Sequence, residues 1–338
     1  MNMIKTAIAT ALLSSACIFS IGAAQAEIVL KVGHSAQPTF HMHKTWLKFA
    51  ELVEQGSKGE IKVEVYPADQ MGTSLEQLEY TQEGTLDMCS EDISLLETSD
   101  KSFGASSMPY VFTSRDQALT VLNEGAFADY LKQKMEDLNL KGIGITENGF
   151  RQITNSKKPI SSPADLKGMK IRTMQIDSHI TAYKQFGANP TPMAFGEVYS
   201  ALQQGVVDGQ DNPLSQIAAV RLYEVQKYLT MANIVFSADI VAMNLAKYNS
   251  LSPEYQQLIN DSMKAAFAYQ QEIIKSEEAT YIDFFKDQGL EVTILTPEQI
   301  QVFKDEVEKV RSSMVADVGP ESWEILSKAI ADYDASHK

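Results

Sequence analysis

Twice along this 338-residue chain a short apolar strand pattern is followed by a helical pattern and then by another strand, and that alternation constrains the fold more than any other feature. Ile28 to Val32 is apolar except for Lys31 and reads as an opening strand. After a loop at residues 33–39, Met42, Trp46, Phe49 and Val53 recur at helical spacing, and Gly56 stands where a C-terminal cap belongs. Ile61, Val63 and Val65 alternate with charged residues as a second strand, Ser74-x-x-Gln77 offers a capping box for a helix ending at Gly84, and Thr85–Cys89 reads as a buried strand. A βαβαβ opening implies a parallel, doubly wound sheet.

The rhythm returns further on. Ser162-Pro163-Ala164-Asp165 supplies an N-cap, a first-turn proline and an early acid. Met169–Thr173 follows as a strand, Ser178–Phe186 as a helix, and Glu197–Gln204 as another helix stopped by Gly205. Two α/β units without a linker rich in Gly, Ser or Pro predict two lobes that share crossing strands. Ser252-Pro253 opens an uninterrupted helical pattern to about Gln288, which at 1.5 Å per residue spans roughly 50 Å, enough to lie across both lobes.

The first 26 residues read as an export leader. Lys5 gives the positive start, Thr6 to Ala23 is an almost uncharged apolar stretch, and Ala24-Gln25-Ala26 is a small-x-small cleavage site. Cys17 is a poor lipid-attachment site, because Ser14 stands where a leucine is wanted and more apolar sequence follows, so cleavage is expected after Ala26. The remaining chain has one cysteine, Cys89, and therefore no intrachain disulfide. With Lys5 removed the formal charge moves from −15 to −16, which argues against nucleic acid and anionic membrane as partners.

No enzyme motif emerges. His41 and His43 are two residues apart and do not share a helix face, and there is no HExxH, Gly-x-Ser-x-Gly, Walker loop or Gly-x-Gly-x-x-Gly. Cys89 falls in a core strand, where a free thiol behaves as a small hydrophobe. The expectation is a non-enzyme with no cofactor and no metal. Two arginines stand out instead: Arg151, after Asn148-Gly149-Phe150 where the chain should cross between lobes, and Arg172, near the carboxyl end of its strand. Ligands of open α/β sheets bind beyond the carboxyl ends of strands, and a guanidinium holds a carboxylate bidentately. For either arginine alone, an exposed side chain or an interdomain salt bridge is the competing reading.

Several longer stretches carry a family resemblance. Asp165-Leu166-Lys167-Gly168-Met169-Lys170-Ile171-Arg172, Gly187-Ala188-Asn189-Pro190-Thr191-Pro192-Met193-Ala194-Phe195 with Glu197-Val198-Tyr199, and Val207-Asp208-Gly209-Gln210-Asp211-Asn212-Pro213-Leu214 resemble the solute-binding subunits of tripartite ATP-independent periplasmic (TRAP) transporters, dicarboxylate-binding type. Asn148 to Arg151 and Tyr223 to Leu229 fit as well, and the likeness runs from about Ile28 to about Val315.

The resemblance implies a two-lobe periplasmic binding protein of type II-like architecture, with hinge-crossing strands and a long helix spanning both lobes. Lobe I would comprise 27–148 plus about 237–275, and lobe II 149–236 plus about 276–338. It implies that Arg172 salt-bridges the ligand carboxylate with Arg151 beside it, that Phe195 packs on the ligand and Asn212 bonds its polar groups, and that Gln175 contacts the remainder. His34, Ser35 and Thr39 would contribute from the other lobe, and Glu91 or Asp92 would accept hydroxyls. The expected protein is a monomeric, periplasmic receptor that hands a small organic acid to the small and large subunits of a TRAP permease. A hydroxylated or sugar acid, such as a uronate or keto-sugar acid, suits the polar set best. A simple dicarboxylate, another carboxylate or a sulfonate is the alternative, as is service to an ATP-driven importer or a sensor kinase.

Overall fold

The opening alternation is realised as β1 (Ile28–His34), α1 (His41–Gly56), β2 (Ile61–Tyr66), α2 (Ser74–Glu83) and β3 (Met88–Asp92). The computed structural model describes residues 28–337, so the expected leader and its cleavage site lie outside the described residues. β1 pairs in parallel with β2 on one side and β3 on the other. Helix α1 buries Met42, Trp46, Phe49 and Val53, the face its spacing defines, and each such side chain stabilises by about 1.5–3 kcal/mol. The one polar atom of Trp46 is satisfied, its indole N–H donating to Ser90 Oγ at 2.7 Å.

Two local readings shift by a few residues. The cap of α2 is Thr73 with Glu76, not Ser74 with Gln77: the Glu76 carboxylate accepts from Thr73 N at 2.7 Å, and Gln77 turns inward to donate to the Gly72 carbonyl at 2.7 Å. Strand β3 begins at Met88 and ends at Asp92, which places Glu91 and Asp92 within the strand rather than after it.

Beyond β3 come 3₁₀ segments at Ile93–Thr98 and Lys101–Ser107, then α3 (Arg115–Asn123), α4 (Gly125–Asp137) and the 16-residue β4 (Leu140–Asn155). The second half follows as β5 (Lys170–Thr173), α5 (Asp177–Gln185), β6 (Asn189–Pro192), α6 (Val198–Gln203), β7 (Gly209–Pro213), α7 (Leu214–Ala219) and β8 (Tyr228–Met231). The chain returns through β9 (Phe236–Asn244), α8 (Leu245–Ser250), α9 (Pro253–Glu278), α10 (Tyr281–Asp287), β10 (Glu291–Ile294), α11 (Pro297–Val318) and α12 (Pro320–Ser336).

The strands run in the order β2-β1-β3-β9-β4-β7-β5-β6, with β8 also on β4 and β10 on β8. Strand β4 carries the chain from one half to the other. Leu140 to Phe150 pairs antiparallel with β9, whereas Arg151 to Asn155 pairs with β7 and β8. The strand runs through the Asn148–Arg151 motif, where the chain is expected to cross between lobes, and bends there. The bend is a register shift between Glu147 and Gly149, where Gly149 has φ +123°. An L side chain rarely adopts that conformation, so glycine is required at the bulge.

Apolar clusters cover both faces. One includes Trp46, Phe49, Ile259 and Met263 on the first half, another Val198, Leu202, Ile217 and Phe285 on the second, and a third runs continuously from Leu122 and Phe127 to Tyr183 and Phe303. Helix α9 packs on α1, but the expected run to Gln288 is broken at Ala279–Thr280. Thr280 donates from both its N–H (3.0 Å) and its hydroxyl (2.7 Å) to the Glu277 carbonyl, a tighter turn than the helix repeat. The terminal helix α12 packs on α3 and α4, while α11 lies on α5 and on the 3₁₀ segment Lys101–Ser107.

Candidate ligand-binding site

The two halves meet over a cleft of about 660 Å³. From the first half come Ser35 and Ala36 after β1, Thr73 to Leu75 at the start of α2, Ser90 to Asp92 at the end of β3, and Asp239 on β9; from the second come Arg172, Met174, Gln175, Phe195, Asn212 and Gln216. Asn148 and Arg151 lie on the connecting strand β4. Ser35, Ser90 to Asp92, Arg172 and Gln175 all sit at or just beyond the carboxyl ends of parallel strands, the place that the sheet topology reserves for ligand.

The two arginines differ in what already holds them. Arg151 is 2% exposed and opposes Pro213 across the β4–β7 ladder, so Asp211 is its diagonal neighbour on the same face. Its Nε donates to Asp211 Oδ2 at 3.0 Å, its Nη2 to the Asp211 carbonyl, and its Nη1 to Ser237 Oγ at 3.3 Å. Burial alone would raise the Asp211 carboxyl, but the charge and hydrogen bond of Arg151 together with the neighbouring His179 and Arg172 outweigh it and hold the carboxyl below its ordinary range. Beneath the pair, His179 is fully buried and kept neutral by that burial.

Arg172 has no such partner. Its Nε and Nη2 both donate to the Met193 carbonyl, at 3.2 and 2.8 Å, and among the described residues no carboxylate pairs with it. Burial, reinforced by the neighbouring Arg151 charge, pulls its guanidinium down to about 9. It remains charged at neutral pH, in a setting that an anion would relieve.

The opposite wall is acidic. Glu91 accepts from the backbone N–H and the hydroxyl of Ser35 at 3.0 and 2.8 Å. Asp92 accepts from Ser94 N at 3.0 Å and from the Ser237 hydroxyl. Asp239, which faces Asp92 in the β3–β9 register, has one long bond, from Asn148 Nδ2 at 3.3 Å. Burial pushes both Glu91 and Asp239 up to about 8, with Asp92 adding to the shift of Asp239.

Of the residues named from sequence, Arg151, Arg172, Asn212, Phe195, Gln175, Ser35, Glu91 and Asp92 line this cleft, so both acidic candidates are on its wall. His34 and Thr39 are not. His34 is wholly buried and its Nε2 meets His43 Nδ1 at 3.1 Å, while Thr39 lines a separate groove with Phe40, Ser215 and Tyr281. Asp239 was not anticipated. Its signal is present in the sequence, an acid in the middle of the apolar run Ala238-Asp239-Ile240-Val241, since a carboxylate is almost never buried without a task or a partner.

The family model of the bacterial extracellular solute-binding proteins, family 7, matches residues 32–317. The chain is 34% identical over 298 residues to the 2,3-diketo-L-gulonate-binding periplasmic protein of Escherichia coli, covering 88% of this chain and 90% of that one. Among solved structures, the sugar acid binding protein of Advenella mimigardefordensis in complex with galactonate superposes with a TM-score of 0.87 at 28% identity, over 90% of this chain and 98% of that chain. A TRAP periplasmic solute binding protein of Polaromonas bound to D-erythronate gives 0.84 at 30% identity, over 89% and 98%.

Proposed function

This chain belongs to family 7 of the bacterial extracellular solute-binding proteins, a TRAP-type receptor rather than an enzyme, and on that footing we propose that its cleft captures a hydroxylated or sugar acid and delivers it to a TRAP permease. The observation that carries the reading is Arg172, a buried guanidinium with no carboxylate partner among the described residues. A ligand carboxylate supplies the missing partner, and Arg151 offers the edge of its guanidinium that is not held by Asp211. Phe195 gives an apolar surface for the carbon chain, and Gln175, Asn212, Ser35 and the carboxylates of β3 take its hydroxyls. The relatives that bind diketogulonate, galactonate and erythronate support the choice of a hydroxylated acid.

Capture works through the two halves. Lobe I is taken as 27–148 with about 237–275 and lobe II as 149–236 with 276 to about 318, α12 returning to lobe I. Arg172 and Phe195 come from one lobe and Ser35 and Glu91 from the other, so both sets touch the ligand only when the cleft is shut. That difference is what allows ligand to drive closure. The bulge at Gly149 is where β4 bends between the lobes. The receptor acts as an exported monomer in the periplasm, its leader removed after Ala26.

A thermal-shift screen over aldonates, uronates, keto-sugar acids and C4 dicarboxylates identifies the acid through its mass-action stabilisation. Arg172→Ala should then weaken that acid by about 30-fold to several thousand-fold, the effect of truncating one partner of a buried charged hydrogen bond. Calorimetry that finds the folded variant within threefold of wild type would refute the role of Arg172.

A further inference from the structure

We propose that Asp239 sets the charge class of the ligand, accepting a hydroxyl on the β3–β9 wall and, once ionised, excluding acids that carry a second carboxylate there. The proposal rests on the sugar-acid reading above and names its substrate class as hydroxylated monocarboxylates.

Positive charge in the cleft is limited. Arg151 and Arg172 are the cations among its described lining residues, both outside the β3–β9 wall, and Arg151 is already paired with Asp211 at 3.0 Å. One uncompensated positive charge, that of Arg172, is left for the ligand. The β3–β9 wall is lined by three acids, Glu91, Asp92 and Asp239, with no lysine or arginine from the first half among the described lining residues.

The three acids are not equally free. Both Glu91 oxygens are held by Ser35, and both Asp92 oxygens are held by Ser94 and Ser237. Asp239 has the single 3.3 Å bond from Asn148 to one oxygen, which leaves its other oxygen without a protein donor among the described residues. It is 6% exposed and lines the cleft. A carboxylate so buried and so poorly satisfied is costly unless something donates to it, and a ligand hydroxyl is the donor that the cleft admits.

A hydroxyl can both donate and accept, so it suits Asp239 in either protonation state; a ligand carboxylate only accepts, so it fits only beside a protonated Asp239. The charged groups acting on Asp239 are Asp92 and Glu91 on β3 and Arg151 on β4, and burial with Asp92 places its titration at about 8. Above that pH a second carboxylate must bring its own proton or meet like charge from adjacent strands, and its affinity falls by about tenfold between pH 7 and pH 9.

The test compares galactonate with galactarate, which differ in a hydroxymethyl group against a carboxylate at the far end. Calorimetry on the wild-type protein should show the preference for galactonate over galactarate widening by about tenfold from pH 7 to pH 9, where galactonate binds more tightly. In Asp239→Asn the ratio should narrow and lose its pH dependence, a change that a merely structural role would not produce. Galactarate binding as tightly as galactonate at pH 9, or an unaltered ratio in a folded Asp239→Asn protein, overturns the proposal. Should that variant fail to fold, Asp239→Ser and the wild-type pH series decide it. A protein that binds none of the aldonates, uronates and keto-sugar acids of the thermal-shift screen refutes the sugar-acid reading instead. The charge rule is then read from succinamate against succinate, and succinate binding more tightly at pH 9 overturns it.

Discussion

The Arg151–Asp211 pair makes a quantitative prediction that separates support of the site from contact with ligand. Both side chains are buried, at 2% and 0% exposure, and Nε and Oδ2 are 3.0 Å apart. Removing one member leaves the other charge buried without its counterion, at a cost of about 3–5 kcal/mol. Asp211→Leu and Arg151→Met should each destabilise by that amount. Removing both together, as Arg151→Met with Asp211→Leu, abolishes two desolvation penalties along with the attraction, and the double variant should lie within about 1 kcal/mol of wild type. The coupling between the sites is then at least about 5 kcal/mol.

Urea unfolding of the four proteins, followed by far-ultraviolet circular dichroism, measures the cycle. Single effects that add to the double effect within about 0.5 kcal/mol would refute the reasoning, because independent sites behave in that way. Calorimetry on the same four proteins adds the functional half. Arg172 supplies the unpaired charge, so the double variant should retain the ligand within about tenfold of wild type, a much smaller loss than Arg172→Ala causes.

Two further substitutions test the frame around the site. Gly209 lies in β7 where a Cβ would come 2.3 Å from the Thr154 backbone oxygen and 2.8 Å from Asn155 Cβ. Since the clash is with the neighbouring strand itself, Gly209→Ala should lower the melting temperature markedly and loosen the strand that carries Asp211 and Asn212; a melt unchanged within a degree or so would refute it. Thr39→Ala should leave affinity within threefold of wild type by calorimetry, because Thr39 lines a groove apart from the cleft, and a larger loss would restore it to the ligand contacts.

The fold was largely legible because its signals are local. Strand and helix alternation from Ile28 to Cys89 survives with shifts of a few residues, and the α1 face is the one its spacing dictates. What failed to show locally was continuity. Nothing in Asn148-Gly149-Phe150 announces that a strand persists through it, since persistence depends on β9, β7 and β8 arriving from far along the chain. In the site, arginines at strand ends were visible as residue types, but the distinction between them was not. Asp211 decides it, and only the diagonal relation across β4 and β7 brings that acid to Arg151 rather than to Arg172.

That distinction also explains how a strongly acidic chain can hold an anion. A net charge of −15 spread over the whole sequence is diffuse, and at physiological salt it is screened beyond about 8 Å. Arg172 acts at contact distance in a desolvated cleft, where one unpaired charge outweighs many distant ones. The acids that do lie within reach are directional: Glu91 and Asp92 are committed to protein donors, and Asp239 lines the cleft on β9 across from Arg172 on β5. The cleft therefore presents a polarity rather than a charge, positive at β5 and accepting at β9. The proposed ligand matches it by having an anion at one end and hydroxyl donors at the other, and in the proposed capture closure of the two lobes brings those ends under the groups that hold them.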